Sequence, residues 1–326
     1  MSQEIDKLMS EDNVRQAIVK CSEEGKHSLG KLLSLIGNKK RILLICNWTD
    51  SKTLCELWNK MSKGNYTWNN IEIVYQEPAD FYCVINSPPN GYVIPDLSKT
   101  IYFQMEPHMS SNQQMWGEWG LPSNIIKSSL LFCGIHSEHY NNNEWHLSKT
   151  YTQLSTEKVI KLESYNNIIS TVLSNKYRDP GHIKRIDFVQ FLEKKGVIVD
   201  VYGSERGWKS YKGQLKSYEK DNALLPYKYT FNAENHEIDN YYTEKLIDGI
   251  LAECLVFYWG CPNICSLIDS RAFVKLELVD FEKDLLIIQE ALRDNWWEQR
   301  LPYIQEAKKK ILNEMSFFPR LSKIIN

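Results

Sequence analysis

Long apolar runs are missing from this sequence, and no stretch approaches the ~18 residues that a membrane-spanning helix requires. The opening segment MSQEIDKLMSEDNVRQAIVKC is charged and lacks the apolar core of a signal peptide. These absences argue against a membrane span and against secretion. We therefore expect a soluble protein of the cytoplasm.

An excess of charge of one sign is missing as well. The chain has 39 Lys and Arg against 41 Asp and Glu, a formal net charge of −2. Because no segment is strongly basic, binding to nucleic acid is not expected. Hydrophobic residues make up 43% and charged residues 25%, the balance of a globular protein. At 326 residues the chain exceeds what one core usually holds, so we expect two domains.

Residue types that form disulfides and metal sites are present but are not arranged for either role. The eight cysteines lie mostly in apolar runs such as LLICNW and FYCVINS, where a thiol acts as a small hydrophobic group. Nothing else indicates secretion, so we expect them to be reduced. His136, His139 and His146 lie near Glu138, but their spacing matches neither a helical ligand pair nor an established zinc finger. We therefore expect no metal site.

Strand and helix patterns alternate along both halves of the chain, which predicts a parallel α/β architecture. The predicted strands are KRILLICNW, IEIVYQ, FYCVINS and TIYFQM, then NIISTVLSN, VIVDVYG, YKYTFNA, CLVFYW and RAFVKLELVDF. The predicted helices are one or two amphipathic helices in the first forty residues, DSKTLCELWNKMS, IKRIDFVQFLEKKG closed by Gly196, Thr243–Glu253, and a helical tail from Glu282 onward. The region from Trp116 to Thr152 shows no clear period and is expected to be rich in loops.

Three loops follow predicted strands, where open α/β folds bind their ligands. NAENHEIDNYYTEK leads into a helix with Thr243 as its N-cap, NKYRDPGHIKR leads into a basic helix start, and QMEPHM carries Glu106. Lys245 lies in the first turn of its helix, where the helix dipole disfavours a cation by about 0.3–1 kcal/mol. An anion bound at that helix start would reverse the sign. Lys184, Arg185 and Lys245 would therefore suit a diphosphate.

Each of these residues also has a simpler interpretation. Glu244 could complement the dipole of the helix that it opens. Arg185 could be a solvated helix residue, and Glu106, taken alone, could be any loop carboxylate. The combination of these residues is a more specific pattern than any one of them alone.

The run YKYTFNAEN…DNYYTEKLIDGILAECLVFYWGCP resembles the signature of the α1,3/4-fucosyltransferases, glycosyltransferase family 10. That signature has an aromatic strand, Glu-Asn, a spacer, Tyr-x-Thr-Glu-Lys, a helix, and an apolar strand ending in Gly. Here Glu234-Asn235 and Tyr241 to Lys245 occupy these positions, with the strand ending at Gly260. Arg185 stands at the family's arginine position. VDVYG, Asp280-Phe281, ILLICNW and YFQMEP, which contains Glu106, resemble further family segments.

The resemblance implies a GT-B fold, with two Rossmann-like domains facing a central cleft and a C-terminal helix packing back. It divides the chain into residues 1–162 for the acceptor, 163–300 for the GDP-sugar, and a helical tail, 301–326. It implies an inverting transferase that moves fucose from GDP-fucose to a hydroxyl of a glycan acceptor, in a GlcNAc-type, α1,3-like linkage. The oligomeric state stays open.

The resemblance also assigns roles to individual residues. Glu106 is the general base, and Arg185 and Lys245, with Tyr241, neutralise the departing diphosphate. Glu244 accepts hydrogen bonds from the ribose, and Asn235 and Gly203 complete the nucleotide site. No Asp-x-Asp motif occurs, so basic residues replace a divalent ion, and no metal or cofactor is expected.

Two positions depart from the family pattern. Ala233 and His236 stand where the family usually has Phe and Ser around Glu-Asn. This difference leaves open a related transferase that uses another nucleotide sugar. A catalytically silent, glycan-binding protein with the same fold is the alternative from a different functional class.

Overall fold

The computed structural model describes residues 39–107, 125–142 and 144–326. The amphipathic helices predicted at the start of the chain fall on residues 1–38, outside the described residues. The seven cysteines within the described residues are all free thiols. Nowhere in these ranges is a helix both long and apolar enough to cross a membrane.

The N-terminal half forms a six-stranded sheet. Its strands are β1 (Lys40–Ile45), β2 (Thr67–Trp68), β3 (Ile71–Val74), β4 (Phe81–Ile85), β5 (Thr100–Phe103) and β6 (Phe132–Gly134). They lie in the order β2-β3-β1-β4-β5-β6, and every pair except β2 and β3 is parallel. The strand order reverses between β1 and β4, as in doubly wound folds, so the carboxyl ends of β1, β4 and β5 meet at one edge. Strand β6 lies inside the region expected to be rich in loops; its three residues are too few to show a period.

The C-terminal half forms a second, entirely parallel sheet. Its strands are β7 (Ile169–Leu173), β8 (Val199–Gly203), β9 (Tyr211–Gly213), β10 (Tyr229–Ala233), β11 (Leu255–Trp259) and β12 (Phe273–Lys275). Their order, β12-β11-β10-β7-β8-β9, is the Rossmann order, with the switch point between β7 and β10. The two sheets confirm the predicted pair of Rossmann-like domains.

The helices α1 (Ser51–Trp58), α2 (Tyr151–Thr156), α3 (Pro180–Lys194), α4 (Asp221–Leu224) and α5 (Glu244–Leu251) connect the strands. Helix α3 begins three residues earlier than predicted. Asp179 is its N-cap, with Pro at the first helical position and His182 completing a capping box. Pro at that position is pre-organised for a helix, so the turn-rich segment predicted before Ile183 was wrong in its last residues.

The helical tail consists of three α-helices separated by short breaks. They are α6 (Phe281–Arg293), α7 (Trp296–Lys310) and α8 (Phe317–Ile325), with a π-helical turn at Ile311–Met315. Asn295 has a left-handed backbone (φ 51°) that separates α6 from α7. In α8, the ring of Phe317 packs edge-on against that of Trp58 in α1, with the ring centroids 4.6 Å apart. The tail therefore returns from the C-terminal domain to the N-terminal one, as predicted.

Candidate functional site

A cavity of about 440 Å³ lies at the switch point of the C-terminal sheet. Its lining comes from the carboxyl ends of β7, β8 and β10, the inner face of α3 and the first turns of α5. We call it the switch-point cavity; among its lining residues are Ser174, Arg185, Gly203, Gln214, Lys220, Asn232, Glu244, Lys245 and Asp248. Four residues predicted from the sequence, Arg185, Gly203, Glu244 and Lys245, thus meet around one cavity.

Arg185 lies in the second turn of α3, not at the helix start, and its side chain points into the fold. It is only 5% exposed. Its guanidinium donates to the Ala233 carbonyl at 3.2 Å, to Asn235 Oδ1 at 3.1 Å and to Ser174 Oγ at 3.3 Å. The interpretation of Arg185 as a solvated helix residue is therefore wrong. Asn235, predicted in the nucleotide site, is held directly by this guanidinium.

Lys184, the neighbouring cation, lies elsewhere. Its ammonium group donates to the Leu278 carbonyl and lies over the ring of Trp259, 5.4 Å from the ring centroid. Consecutive helix residues point about 100° apart, so only one of this pair can face the cavity. The expectation that Lys184 helps hold a diphosphate is not met by this geometry.

The start of α3 packs directly on the Glu-Asn segment after β10. The backbone N–H of Gly181 donates to the Asn235 carbonyl at 3.0 Å, and a Cβ at Gly181 would lie 1.8 Å from the Glu234 carbonyl oxygen. Nearby, Asp179 lies 3.0 Å from His182 and 3.8 Å from His236. Burial lowers the pKa of both histidines, that of His182 to about 4. His236, a departure from the family pattern, is thus a neutral, buried side chain beside Asp179.

Gly181→Ala is expected to destabilise the protein by about 1–3 kcal/mol, since the added methyl group meets backbone that cannot rotate away. Urea unfolding followed by circular dichroism measures this loss. Lys194→Ala, an exposed position on the same helix, is the control and should change stability by less than about 0.5 kcal/mol. Equal stability of the two variants would contradict the close approach of α3 to the signature segment.

Lys245 at the start of α5 is matched by two carboxylates. Thr243 is the N-cap, as predicted, and its Oγ accepts from the Lys245 N–H at 3.3 Å. Glu234 is fully buried and accepts from Thr243 N–H at 2.8 Å and Oγ–H at 2.6 Å. The Lys245 ammonium lies 3.6 Å from Glu234 and 3.4 Å from Glu244. The cation at the positive end of the helix is therefore stabilised by these two acids, and a bound anion is not required to hold it there.

Lys220 is a further cavity residue, one that was not predicted from the sequence. Its Nζ lies 2.9 Å from Asp248 and 3.3 Å from Glu244, and its side chain is 15% exposed. Burial alone would lower its pKa, but the charges of Asp248 and Glu244 outweigh burial, so the pKa of Lys220 is raised above its ordinary value. Burial likewise raises the pKa of Glu244, but Lys245 and Lys220 reverse this and hold it well below its ordinary value. Glu244 is therefore an ionised acceptor at neutral pH.

Glu106 follows β5 and brings a carboxylate from the other domain to the cleft. Asn86 Oδ1 accepts from the backbone N–H groups of Met105 at 2.7 Å and Glu106 at 3.1 Å. The Glu106 carbonyl accepts from His136 Nε2 at 2.9 Å. The side chain is exposed, yet desolvation by the cleft walls raises its pKa, opposed by the charge of Lys245. The structure thus places this carboxylate within electrostatic reach of Lys245.

Tyr241 lies between the residues of the switch-point cavity and the segment that carries Glu106. It is 1% exposed, and its ring packs edge-on against His136 with centroids 5.3 Å apart. Burial, reinforced by Glu234 and Glu106, raises its pKa well above the ordinary value, so the hydroxyl stays protonated. It is a neutral hydrogen-bond donor, not a charged group.

The described residues contain no group of three or more His, Cys, Asp or Glu side chains arranged to hold a metal ion. His136, considered above as a possible metal ligand, instead contacts the backbone of Glu106. His146 donates its backbone N–H to Asp248 at 2.7 Å. Neither role was visible from local spacing, because both depend on contacts between distant segments.

Comparison with known families gives a match over the C-terminal domain. Residues 162–295 match the family model described as glycosyltransferase family 10 (fucosyltransferase), C-terminal part. The matched range contains the whole second sheet and every lining residue of the switch-point cavity. The resemblance predicted from the Tyr-x-Thr-Glu-Lys segment is therefore confirmed.

One curated relative is the alpha-(1,3)-fucosyltransferase FucT of Helicobacter pylori, which is 28% identical over 105 residues. The aligned part is 30% of this chain and 22% of the relative, so the match spans about a fifth of that enzyme.

Two solved structures align with most of the chain. An alpha-glucosyltransferase in complex with UDP and a 13-mer DNA containing a HMU base aligns over 88% of this chain and 99% of its own, with a TM-score of 0.52 and 11% identity. An alpha1,3-fucosyltransferase with GDP aligns over 85% of this chain and 91% of its own, with a TM-score of 0.49 and 16% identity. The first likeness agrees with the GT-B arrangement of the two sheets.

Proposed function

We propose that this chain, whose residues 162–295 match glycosyltransferase family 10, is an inverting, metal-independent fucosyltransferase that acts on a glycan hydroxyl. The observation that carries the proposal is the position of the family match on the switch-point cavity and its cations. In this proposal residues 1–162 bind the acceptor, 163–300 bind GDP-fucose, and the tail, 301–326, joins the two. The acceptor is of the GlcNAc type, with an α1,3-like linkage.

The donor nucleotide would occupy the switch-point cavity. Glu244 is ionised and would accept hydrogen bonds from the ribose hydroxyls. Arg185 and Lys245 would face the diphosphate, with the neutral hydroxyl of Tyr241 donating to it. Gly203 has φ 99°, and a Cβ there would lie 2.2 Å from the Leu173 carbonyl oxygen, so glycine lets β8 end close beside β7.

The transfer step joins groups from the two domains. Glu106 accepts the proton of the acceptor hydroxyl while the hydroxyl oxygen forms a bond to the anomeric carbon of fucose. The bond between that carbon and the diphosphate oxygen breaks, and GDP leaves with the electron pair. Arg185 and Lys245 stabilise the charge that develops on the leaving diphosphate. Attack from the face opposite the leaving group inverts the anomeric configuration.

An assay of nucleotide release tests this proposal. The protein is incubated with GDP-fucose and a panel of GlcNAc-containing glycans, with and without EDTA, and with UDP-, dTDP- and CMP-sugars as alternative donors. We expect release that requires GDP-fucose and an acceptor and does not change with EDTA. Release from another donor alone would assign a related transferase, as the changes at Ala233 and His236 allow. Glycan binding without release from any donor would instead indicate a silent binding protein.

A further inference from the structure

The backbone of Glu106 is held from both sides by side chains that the transfer chemistry does not use. Asn86 Oδ1 accepts its N–H at 3.1 Å, and His136 Nε2 lies 2.9 Å from its carbonyl oxygen. A carbonyl oxygen only accepts, so Nε2 of His136 carries the proton. His136 is 2% exposed, which keeps water from competing for this bond.

The same histidine is tied to the C-terminal domain. Asn240 Nδ2 donates to the His136 carbonyl at 2.7 Å, and the Tyr241 ring packs on the imidazole. Asn240 is itself fixed, since its N–H donates to Asn263 Oδ1 at 2.8 Å and its Oδ1 accepts from Asn263 Nδ2 at 3.0 Å. Its left-handed backbone, φ 62°, is one that asparagine tolerates. These contacts join the loop before α5 to the loop after β6.

The reaction needs the Glu106 carboxylate and the cations of the cavity at a fixed separation, although they belong to different domains. A displacement of about 1 Å between reacting groups can cost roughly 10²-fold in rate. The path from the loop before α5 to the base is short: Asn240 and Tyr241 contact His136, and His136 bonds to Glu106.

We propose that His136 is a positioning residue that sets Glu106 against the donor site through Asn240 and Tyr241. This inference rests on the proposed function, because it assumes that Glu106 accepts the acceptor proton. His136 does not touch either substrate in this assignment. It acts by fixing the backbone from which the base projects.

His136→Phe is the direct test, since it keeps a ring against Tyr241 and removes the N–H donor. We expect kcat for transfer to fall about 10- to 10²-fold, with the Kd for GDP, measured by calorimetry, changed less than about twofold. His136→Gln restores an N–H donor and is expected to recover part of kcat. His139→Phe, a half-buried histidine of the same loop, is the control and should leave kcat unchanged.

Asn240→Ala provides a second variant in case His136→Phe folds poorly. It removes the anchor of the His136 carbonyl, and we expect the same loss of kcat in smaller measure with GDP affinity retained. If the wild-type protein is active and both variants keep its kcat, the positioning role is overturned and the proposed function is not. Equal loss of GDP affinity and kcat, with no recovery in His136→Gln, would also overturn it. A wild-type protein that neither binds GDP nor transfers fucose would overturn the proposed function itself.

Discussion

Replacing Glu106 with glutamine is expected to reduce transfer by about 10²- to 10⁴-fold, the contribution of a positioned general base. The amide has nearly the same shape as the carboxylate but cannot take the acceptor proton. Its N–H donates to Asn86 and its carbonyl accepts from His136; both bonds involve the backbone, so they persist in the variant. Affinity for GDP, measured by calorimetry, should therefore stay within about twofold of wild type.

The pH dependence of transfer gives an independent check on the same residue. Desolvation raises the pKa of Glu106, and the base acts only when it is ionised. Transfer should therefore fall as the pH drops through a pKa above the ordinary value of a glutamate. This acidic limb should be absent from the residual activity of Glu106→Gln. Glu138→Gln, at an exposed carboxylate paired with Lys127, is the control. A wild-type rate of transfer in Glu106→Gln would show that Glu106 is not the general base.

Removing one cation from the switch-point cavity is expected to weaken GDP binding about 10- to 10²-fold, which corresponds to one charged hydrogen bond of about 1.5–3 kcal/mol. Lys245→Met and Arg185→Met keep most of the side-chain volume and remove the charge. Each residue lines the cavity and is ordered by neighbours before any ligand arrives, Lys245 by Glu234 and Glu244, Arg185 by Asn235. A pre-ordered side chain loses little entropy on binding.

Lys184→Met is a closely matched control, because it removes the same charge one residue away on α3, outside the cavity. Calorimetric titration with GDP should give the wild-type Kd for this variant. Urea unfolding of all three variants separates loss of affinity from loss of folding, since Arg185→Met leaves the Ala233 carbonyl without this donor. Unchanged affinity in both Lys245→Met and Arg185→Met would contradict the assignment of the diphosphate site.

Local patterns in the sequence predicted most of the elements. Strands β7, β8, β10 and β11 are rich in β-branched and aromatic residues, which predict a strand without reference to its neighbours. The N-cap at Thr243 followed from the residues after it. The start of α3 was also visible, as Asp179 followed by Pro180, and was missed because Pro-Gly was taken to mark a turn.

Local patterns alone predicted the site residues that belong to one segment, whereas Arg185 and Gly203 were predicted through the family resemblance. Glu244 and Lys245 are adjacent in the chain, and the cavity forms around them as expected. Asn86 and Lys220 were missed, since each acts on a residue 20 or 24 positions away, and such contacts depend on how strands align. His136 attracted notice only as one histidine of a group, because its bond to Glu106 requires β6 to lie beside β5.

Calorimetric titration with GDP, UDP, dTDP and CMP, with and without EDTA, tests whether this protein has a metal-independent GDP site, and it requires no knowledge of the acceptor. We expect GDP to bind at least about tenfold more tightly than the other nucleotides, a difference of about 1.4 kcal/mol, and EDTA to have no effect. A matching rise in melting temperature should accompany GDP alone, since a ligand of the folded state stabilises it. Preference for another nucleotide, dependence on a divalent ion, or no binding at all would contradict a metal-independent GDP site.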